Sequence, residues 1–206
     1  MNNKMRKYII NELMVEDFIE WSDDTIHLEE AEDTGKSKLV FALKSDGNLT
    51  IKNVDKKKTE ILFFEKSSKK SMFKRVDHII FEHIKDEQWK LHLIEMKSAI
   101  FDKKWRDVKG KFRASYLVAK AIAAILDINI VDICLYTTYE NVHFQVSETM
   151  PSERRLYTGK YQIKPIDEWK SGKVRLNLGT DIILSHVPVQ MGRDELDVLV
   201  GECCGY

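Results

Sequence analysis

Two apolar runs separated by a short polar stretch occupy the middle of the chain, over residues 72–97. The runs Met72–Glu82 and Trp89–Lys97 are rich in β-branched and other large apolar residues, and each predicts a β-strand. The polar residues 85–88 lie between them, as in the connection of a hairpin. The pattern therefore predicts a hairpin-like strand pair around which the rest of the chain is organised.

Charged residues fall at one end of this strand pair. Side chains alternate across a strand, so Glu95 and Lys97 are expected on one face with Leu91 and Leu93. Asp77 lies within the first run, and antiparallel pairing can bring it opposite the end of the second. The alternation thus predicts that two acids and one lysine meet at the exit of an apolar strand.

The remaining periodicity predicts a mixed α/β (α+β) chain. Apolar side chains at three- and four-residue steps predict helices over 4–21 and 105–126, whereas residues 22–37 have the polar composition of a loop. Further strands are predicted over 38–43, 49–53, 60–64, 128–138, 141–146, 161–164, 174–178 and 182–189. We therefore expect a core over residues 1–140 and a β-rich extension or small subdomain over 141–206, packed on that core.

The composition is that of a globular protein with one substantial core. Of the 206 residues, 43% are hydrophobic, 10% are aromatic and 32% are charged. No apolar stretch approaches the roughly 18 residues that span a bilayer, and the N-terminus lacks the apolar segment of a signal peptide. The 3 cysteines form no CxxC pair, which argues against a zinc ribbon and a disulfide framework. The expectation is a cytoplasmic protein with no membrane partner.

Charge is segregated along the chain, although the net charge is zero. Residues 12–33 carry ten acids and no lysine or arginine, residues 56–75 carry eight basic residues against two acids, and residues 103–120 carry seven against one. Local basic patches suit nucleic acid, so the neutral total does not exclude that partner. A solubilising surface explains the lysine clusters at 56–58 and 66–70 equally well.

Two carboxylates at one point repel each other unless a cation lies between them. Hard oxygen ligands suit Mg²⁺ or Mn²⁺, and an ammonium beside such an ion can orient an attacking water or stabilise charge on a phosphate. Asp77, Glu95 and Lys97 therefore suit hydrolysis of a phosphodiester. The spacing alone is weak, because acid-x-Lys occurs five times in the chain, but only Glu95-Met96-Lys97 ends an apolar strand that follows an acid-bearing strand.

Asp77 followed by Glu95-Met96-Lys97 resembles the signature of the PD-(D/E)xK nuclease superfamily, an acid on one strand and acid-x-Lys on the next. Val76 stands where the family often has proline. The resemblance implies Asp77 and Glu95 as ligands of Mg²⁺ (or Mn²⁺) and Lys97 as the catalytic lysine that acts on the nucleophilic water. It also implies a restriction-endonuclease-like αβββαβ core with a mixed central sheet, over about residues 4–138. The subfamily is not identified.

The resemblance suggests further site residues. In this superfamily an acid of the first helix often joins the metal site, and Glu16 is the candidate third ligand, with a solvated acidic face as the alternative. The helix after the acid-x-Lys strand often supplies a polar or basic residue, for which Lys111 or Arg113 qualifies. Together with Lys109, these two are expected to contact phosphates of a nucleic acid.

Two functions are compatible with these features. The leading hypothesis is a Mg²⁺- or Mn²⁺-dependent nuclease, a hydrolase that cuts phosphodiester bonds of DNA. The alternative is a catalytically inactive module of the same fold that binds nucleic acid or a protein partner, since function belongs to sites rather than folds. A surface hairpin in which Glu95 and Lys97 form an ordinary solvated pair is the competing structural explanation. An endonuclease that cuts both strands needs two active sites, so a homodimer is one expectation.

Overall fold

The structure is a computed structural model that describes residues 3–14, 16–32, 35–55, 72–144 and 164–205. The helices are α1 (Asn3–Tyr8), α2 (Asp102–Leu126) and α3 (Pro165–Lys170), with a π-helix over Ile9–Leu13 and a 3₁₀ turn over Glu16–Phe18. The strands are β1 (Ile19–Ser22), β2 (Thr25–Glu32), β3 (Gly35–Ala42), β4 (Asn48–Ile51), β5 (His78–Lys85), β6 (Gln88–Glu95), β7 (Ala99–Phe101), β8 (Asn129–Tyr139), β9 (Asn141–His143), β10 (Lys173–Asn177), β11 (Asp181–Gln190), β12 (Gly192–Arg193) and β13 (Leu199–Cys204).

A mixed seven-stranded sheet, here called the main sheet, has the strand order β1-β4-β5-β6-β8-β11-β10. The neighbours β4, β5 and β6 are antiparallel, whereas β6, β8 and β11 run parallel. Parallel neighbours need a crossover connection, and α2 lies in the segment that connects β6 to β8. The predicted mixed α/β class is confirmed in this coarse form, as a sheet-rich chain with few helices.

Alternating side chains of β6 enter two hydrophobic cores. Leu91 and Leu93 lie in the core that includes the buried side chains of α2, whereas Ile94 lies in a second core. That second core is shared with a four-stranded sheet of order β12-β13-β3-β2, here called the second sheet. Each fully buried large apolar side chain contributes about 1.5–3 kcal/mol to folding. The end of β6 is therefore held between α2 on one face and the second sheet on the other.

Helix α2 agrees with its sequence pattern. Its buried side chains include Trp105, Val108 and Phe112, which follow one another at three- and four-residue steps. The helix ends at Leu126, and the left-handed backbone of Asp127 (φ 53°) turns the chain so that the N–H of Ile128 donates to the carbonyl of Ala123 at 2.8 Å. Because one face of the helix is fixed against the sheet, the polar residues beside that face also have fixed positions.

The N-terminal region differs from the sequence prediction. The helix predicted over 4–21 is wrong beyond Leu13, because the chain passes through the 3₁₀ turn into β1, which pairs with β4. The loop predicted over 22–37 is also wrong, since β2 and β3 pair antiparallel there. Ile26 and Leu28 are buried at alternate positions of β2, a two-residue period within an acid-rich stretch.

The last part of the chain adds strands to both sheets. β11 pairs with β8 and β10 with β11, while β13 pairs with β3. The strand predicted over 141–146 is observed over Asn141–His143, and α3 was not predicted. The predicted strand 60–64, the lysine clusters 56–58 and 66–70, and residues 161–163 lie outside the described residues. No helix in the described part of the chain is long and apolar enough to cross a membrane.

Candidate active site

Asp77 lies immediately before β5, and the prediction that it lies inside a strand is wrong by this small margin. Its Oδ2 accepts a hydrogen bond from the backbone N–H of Met96 at 2.6 Å. The N–H of Val76 donates to Oγ of Ser115 in α2 at 2.8 Å. These bonds tie the segment before β5 both to the end of β6 and to α2, so the buried Asp77 carboxylate has a fixed position.

Glu95 and Lys97 occupy the end of β6 and the residue just beyond it. Glu95 is fully buried, on the face that α2 covers. The backbone N–H of Lys97 donates to Oγ1 of Thr138 at 2.8 Å, and the same hydroxyl donates to the Lys97 carbonyl at 3.2 Å. Thr138 belongs to β8, so the parallel neighbour fixes the chain where the acid-x-Lys segment leaves the sheet.

Two ammoniums lie against the two carboxylates. Nζ of Lys97 is 2.9 Å from Oε1 of Glu95 and 3.8 Å from Oδ2 of Asp77. Nζ of Lys111, which comes from α2, is 2.7 Å from the same Oε1 and 3.6 Å from Oδ1 of Asp77. The structure thus brings together Asp77, Glu95 and Lys97, and adds Lys111 to them.

Burial and neighbouring charges perturb the pKa values of this cluster. Burial, and then the charge of Asp77, raise the pKa of Glu95 to about 7, against the opposing effect of the two lysines. Burial alone lowers the pKa of Lys97 and of Lys111, but the charges of Glu95 and Asp77 outweigh it and raise both pKa values above the ordinary lysine value. Both lysines are therefore charged at neutral pH, while Glu95 is poised between its two states.

The carboxylate of Glu95 is not fully satisfied. Oε1 has the two ammoniums at ion-pair distance, but neither contact has the alignment of a hydrogen bond, and Oε2 has no hydrogen-bond partner among the described residues. Lys111 nevertheless lowers the pKa of Glu95 as a hydrogen-bond donor would, and at 2.7 Å we regard that contact as a strong ion pair. A buried carboxylate oxygen without a donor is unusual in a native fold.

The donor set fits a hard divalent ion in part. Mg²⁺ takes oxygen ligands, commonly one or two carboxylates with water or phosphate oxygens completing the shell. Asp77 and Glu95 supply two such carboxylates, one with an unused buried oxygen. Within the described residues, however, no group of three or more acidic, histidine or cysteine side chains is arranged to hold a metal ion. Water, backbone or substrate oxygens would therefore have to complete the shell.

A cavity of about 610 Å³ opens over this cluster. Glu95, Lys97 and Lys111 line it on one side, and residues of the second sheet line the other. Its further basic lining residues are Lys36, Lys74, Lys104 and Arg193. The Arg193 guanidinium is already bound by Glu140 and Asp197, whereas the three lysines provide positive charge around an acidic floor.

The other predicted site residues lie elsewhere. Glu16 is exposed on the 3₁₀ turn and does not line the cavity, so its expected position in the first helix is wrong. Lys109 donates to Oε1 of the buried Glu168 at 2.8 Å, and Arg113 is half-buried without lining the cavity. Of the three basic residues proposed on this helix, Lys111 is the one that reaches the acids.

Two acids near the cluster were not predicted from the sequence. Oε1 of Glu30, in β2, is 3.8 Å from Nζ of Lys97. Burial and then the charge of Asp77 raise the pKa of Asp55, which precedes the lysine-rich segment. Ile26, Leu28 and Glu30 share one face of β2 by alternation, and that signal could have located Glu30 if the stretch had been recognised as a strand.

Comparison with protein-family models, with curated proteins and with solved structures gives no match for this chain. Function therefore has to be inferred from the chemistry of the site itself.

Proposed function

We propose that the protein is a metal-dependent nuclease that hydrolyses phosphodiester bonds of DNA at Asp77, Glu95 and Lys97. The observation that carries the proposal is the pair of buried carboxylates that share two ammoniums beneath a lysine-lined cavity. The order β4-β5-β6-α2-β8, with antiparallel and then parallel neighbours, supports a restriction-endonuclease-like core. Neither acid is a solvated surface residue, so the explanation by an ordinary exposed pair loses its basis.

Asp77 and Glu95 would hold the ion, Mg²⁺ or Mn²⁺. When bound, such an ion supplies Lewis acidity and lowers the pKa of a water molecule so that it can attack the phosphorus. The chain contributes fixed ligands, because the Met96 N–H orients the Asp77 carboxylate and full burial confines Glu95. Because the pKa of Glu95 is raised to about 7, the acid is partly protonated at neutral pH, and an ion that binds the carboxylate would displace the remaining proton.

Lys97 would act as a charged hydrogen-bond donor. Its pKa is raised by Glu95 and Asp77, so it stays protonated at neutral pH and is a poor general base. Its ammonium also contacts the carbonyl of Met96, which keeps it beside the carboxylates. In that position it can orient the attacking water and stabilise the charge that grows on the phosphate oxygens.

Three lysines around the cavity would bind neighbouring phosphates. Lys36 and Lys74 are exposed, Lys104 is half-buried, and all three line the cavity. Because the cavity lining includes no aromatic residue, base stacking contributes little within the described part of it. Contacts to the backbone position a nucleic acid without reading its sequence.

Cleavage assays with plasmid and single-stranded DNA test the proposal. Cutting should require Mg²⁺ or Mn²⁺, stop in EDTA, and be lost in Lys97→Ala. The matched control is Lys103→Ala, which removes an exposed lysine of α2 that does not line the cavity. Cleavage that survives EDTA, or that Lys97→Ala leaves unchanged, would refute the assignment.

A binding module without turnover is the second candidate. One observation favours it: two ammoniums already offset the charges of the two carboxylates. Such a module would retain DNA at low salt in both EDTA and Mg²⁺ and would leave it uncut. The same assay therefore separates the two functions.

A further inference from the structure

The two lysines of the site are held very differently. Lys97 contacts Glu95, Asp77 and Glu30 through its ammonium, and its backbone is bound to Thr138. The ammonium contacts of Lys111 within the described residues are those to Glu95 and Asp77. The Lys111 side chain is also more exposed, at 24% against 13% for Lys97.

We propose that Lys111 is an exchangeable counter-cation of this site. Its ammonium neutralises Asp77 and Glu95 in the ion-free protein, and it transfers to a phosphate oxygen of a nucleic acid when a divalent ion takes the carboxylates. Lys111 is thus a phosphate-binding residue only in the ion-loaded state. This inference rests on the proposed function, because it assumes that Asp77 and Glu95 bind an ion and that a nucleic acid enters the cavity.

Charge balance supports the exchange. Asp77 and Glu95, when both are ionised, carry two negative charges that two ammoniums offset. A divalent ion added to an unchanged cluster would leave two excess positive charges, or one when the carboxylate of Glu30 beside Lys97 is counted, in a buried place where repulsion is weakly screened. Release of the less firmly held ammonium relieves part of that repulsion, and Lys111 has the fewer contacts.

The position of Lys111 on α2 leaves other binding partners within reach of the released ammonium. Lysine is a flexible four-carbon chain with a compact charge, and Lys111 lines the cavity that the other lysines surround. Asp107 lines the same cavity one turn earlier in α2, at a spacing where side chains of a helix meet. Without nucleic acid this carboxylate can receive the ammonium, and with nucleic acid a phosphate replaces it.

Binding of a single-stranded DNA oligonucleotide, measured by fluorescence anisotropy over a range of salt, tests the exchange. Each protein is measured in EDTA and in Ca²⁺, which takes the same oxygen ligands as Mg²⁺ in a looser shell, and electrophoresis verifies that the oligonucleotide stays intact. The test variant is Lys111→Met, which keeps the apolar stem and removes the charge. Lys104→Met is the matched control, because Lys104 lines the cavity without an ion pair to either acid.

Lys111→Met should lower the salt slope of binding by about 0.7, the value for one phosphate contact on a single strand, in Ca²⁺ but not in EDTA. Lys104→Met should lower the slope equally in both conditions. If Lys111→Met lowers the slope equally in both, or in neither, the exchange is refuted. Lys111→Gln provides the same comparison if the methionine variant folds poorly.

Failure of the nuclease proposal has a different signature. In that case wild-type protein neither takes up Ca²⁺, measured by calorimetry without DNA, nor cuts DNA in Mg²⁺, and both inferences fall together. If wild-type protein binds the ion and cuts DNA while the effect of Lys111→Met does not depend on the ion, only the exchange fails.

Discussion

Titration of Glu95 gives the ion-free protein a pH dependence that can be measured without substrate. Burial and the charge of Asp77 raise its pKa from 4.5 to about 7 in the folded state. Between these values the folded protein binds more protons than the unfolded chain, so this group makes the unfolding free energy fall as pH rises through that window. A pKa difference of this size between the folded and unfolded states corresponds to about 3 kcal/mol of unfolding free energy.

Buried histidines make the unfolding free energy rise with pH, which is opposite to the effect of Glu95. The pH dependence of the wild-type protein alone therefore does not isolate the glutamate. Burial lowers the pKa of His92, and it lowers that of His186 to about 3. The unfolded chain therefore binds more protons at these residues below their ordinary pKa of 6.5, and their contribution to stability rises with pH up to that point. The difference between wild type and Glu95→Gln isolates the glutamate, because both proteins contain the same histidines.

Urea denaturation in EDTA, from about pH 5 to about pH 8, measures this difference. Across this range Glu95→Gln should gain about 2.5 kcal/mol of unfolding free energy relative to wild type, somewhat less than the full effect because the range begins above the unfolded pKa of 4.5. The exposed Glu202→Gln is the control and should run parallel to wild type. In saturating Mg²⁺ the fall of the wild-type contribution with pH should be reduced, since an ion bound to the deprotonated acid would displace the proton that the folded protein otherwise holds. Parallel curves for wild type and Glu95→Gln in EDTA would show that the acid is not perturbed.

Three further substitutions test individual roles. Lys97→Ala should slow single-turnover cleavage about a hundredfold with a smaller change in DNA affinity. Lys97→Arg should not restore the full rate, because a planar guanidinium replaces a compact ammonium. Cleavage by Lys97→Ala at the wild-type rate in saturating Mg²⁺ would contradict this. Asp77→Asn should abolish cleavage and also lower the melting temperature in EDTA, since it leaves two ammoniums beside one buried carboxylate, and cleavage at the wild-type rate would speak against the role. Lys109→Ala should lower the unfolding free energy by about 1 kcal/mol, because the ion pair between Lys109 and Glu168 is lost. A reduced salt slope of DNA binding in this variant would instead indicate that Lys109 contacts a phosphate.

Strong periodicity explains what the sequence could predict. β6 and α2 have long apolar patterns that match their burial, whereas β8 is buried only over residues 134–138. The alternation in β6 correctly grouped Glu95 with Leu91 and Leu93. The meeting of Glu95 with Asp77 follows from local pairing of neighbouring strands. Elements that have both a clear hydrophobic period and contacts between sequence neighbours can therefore be predicted from the sequence alone.

Non-local pairing explains what the sequence could not predict. Phe18 and Trp21 fit a helical spacing, but Trp21 is 51% exposed and lies in β1, which pairs with β4. The contact of Glu30 with Lys97 depends on how the second sheet packs on the main sheet. The contact of Lys111 with Glu95 depends on which face of α2 is turned toward the main sheet. Such contacts depend on the packing of whole layers, which no short window of sequence contains.

Charge balance at the site links ion binding to nucleic-acid binding. Lys97 and Lys111 form ion pairs with the buried carboxylates, so a divalent ion would have to compete with two ammoniums. Under the proposed function, the excess positive charge left after ion binding would attract the phosphates of a DNA strand, and a bound strand would in turn provide negative charge that retains the ion. Coupling of this kind is reciprocal by thermodynamic necessity. If the proposed function holds, the protein should therefore bind its ion more tightly with nucleic acid than without it.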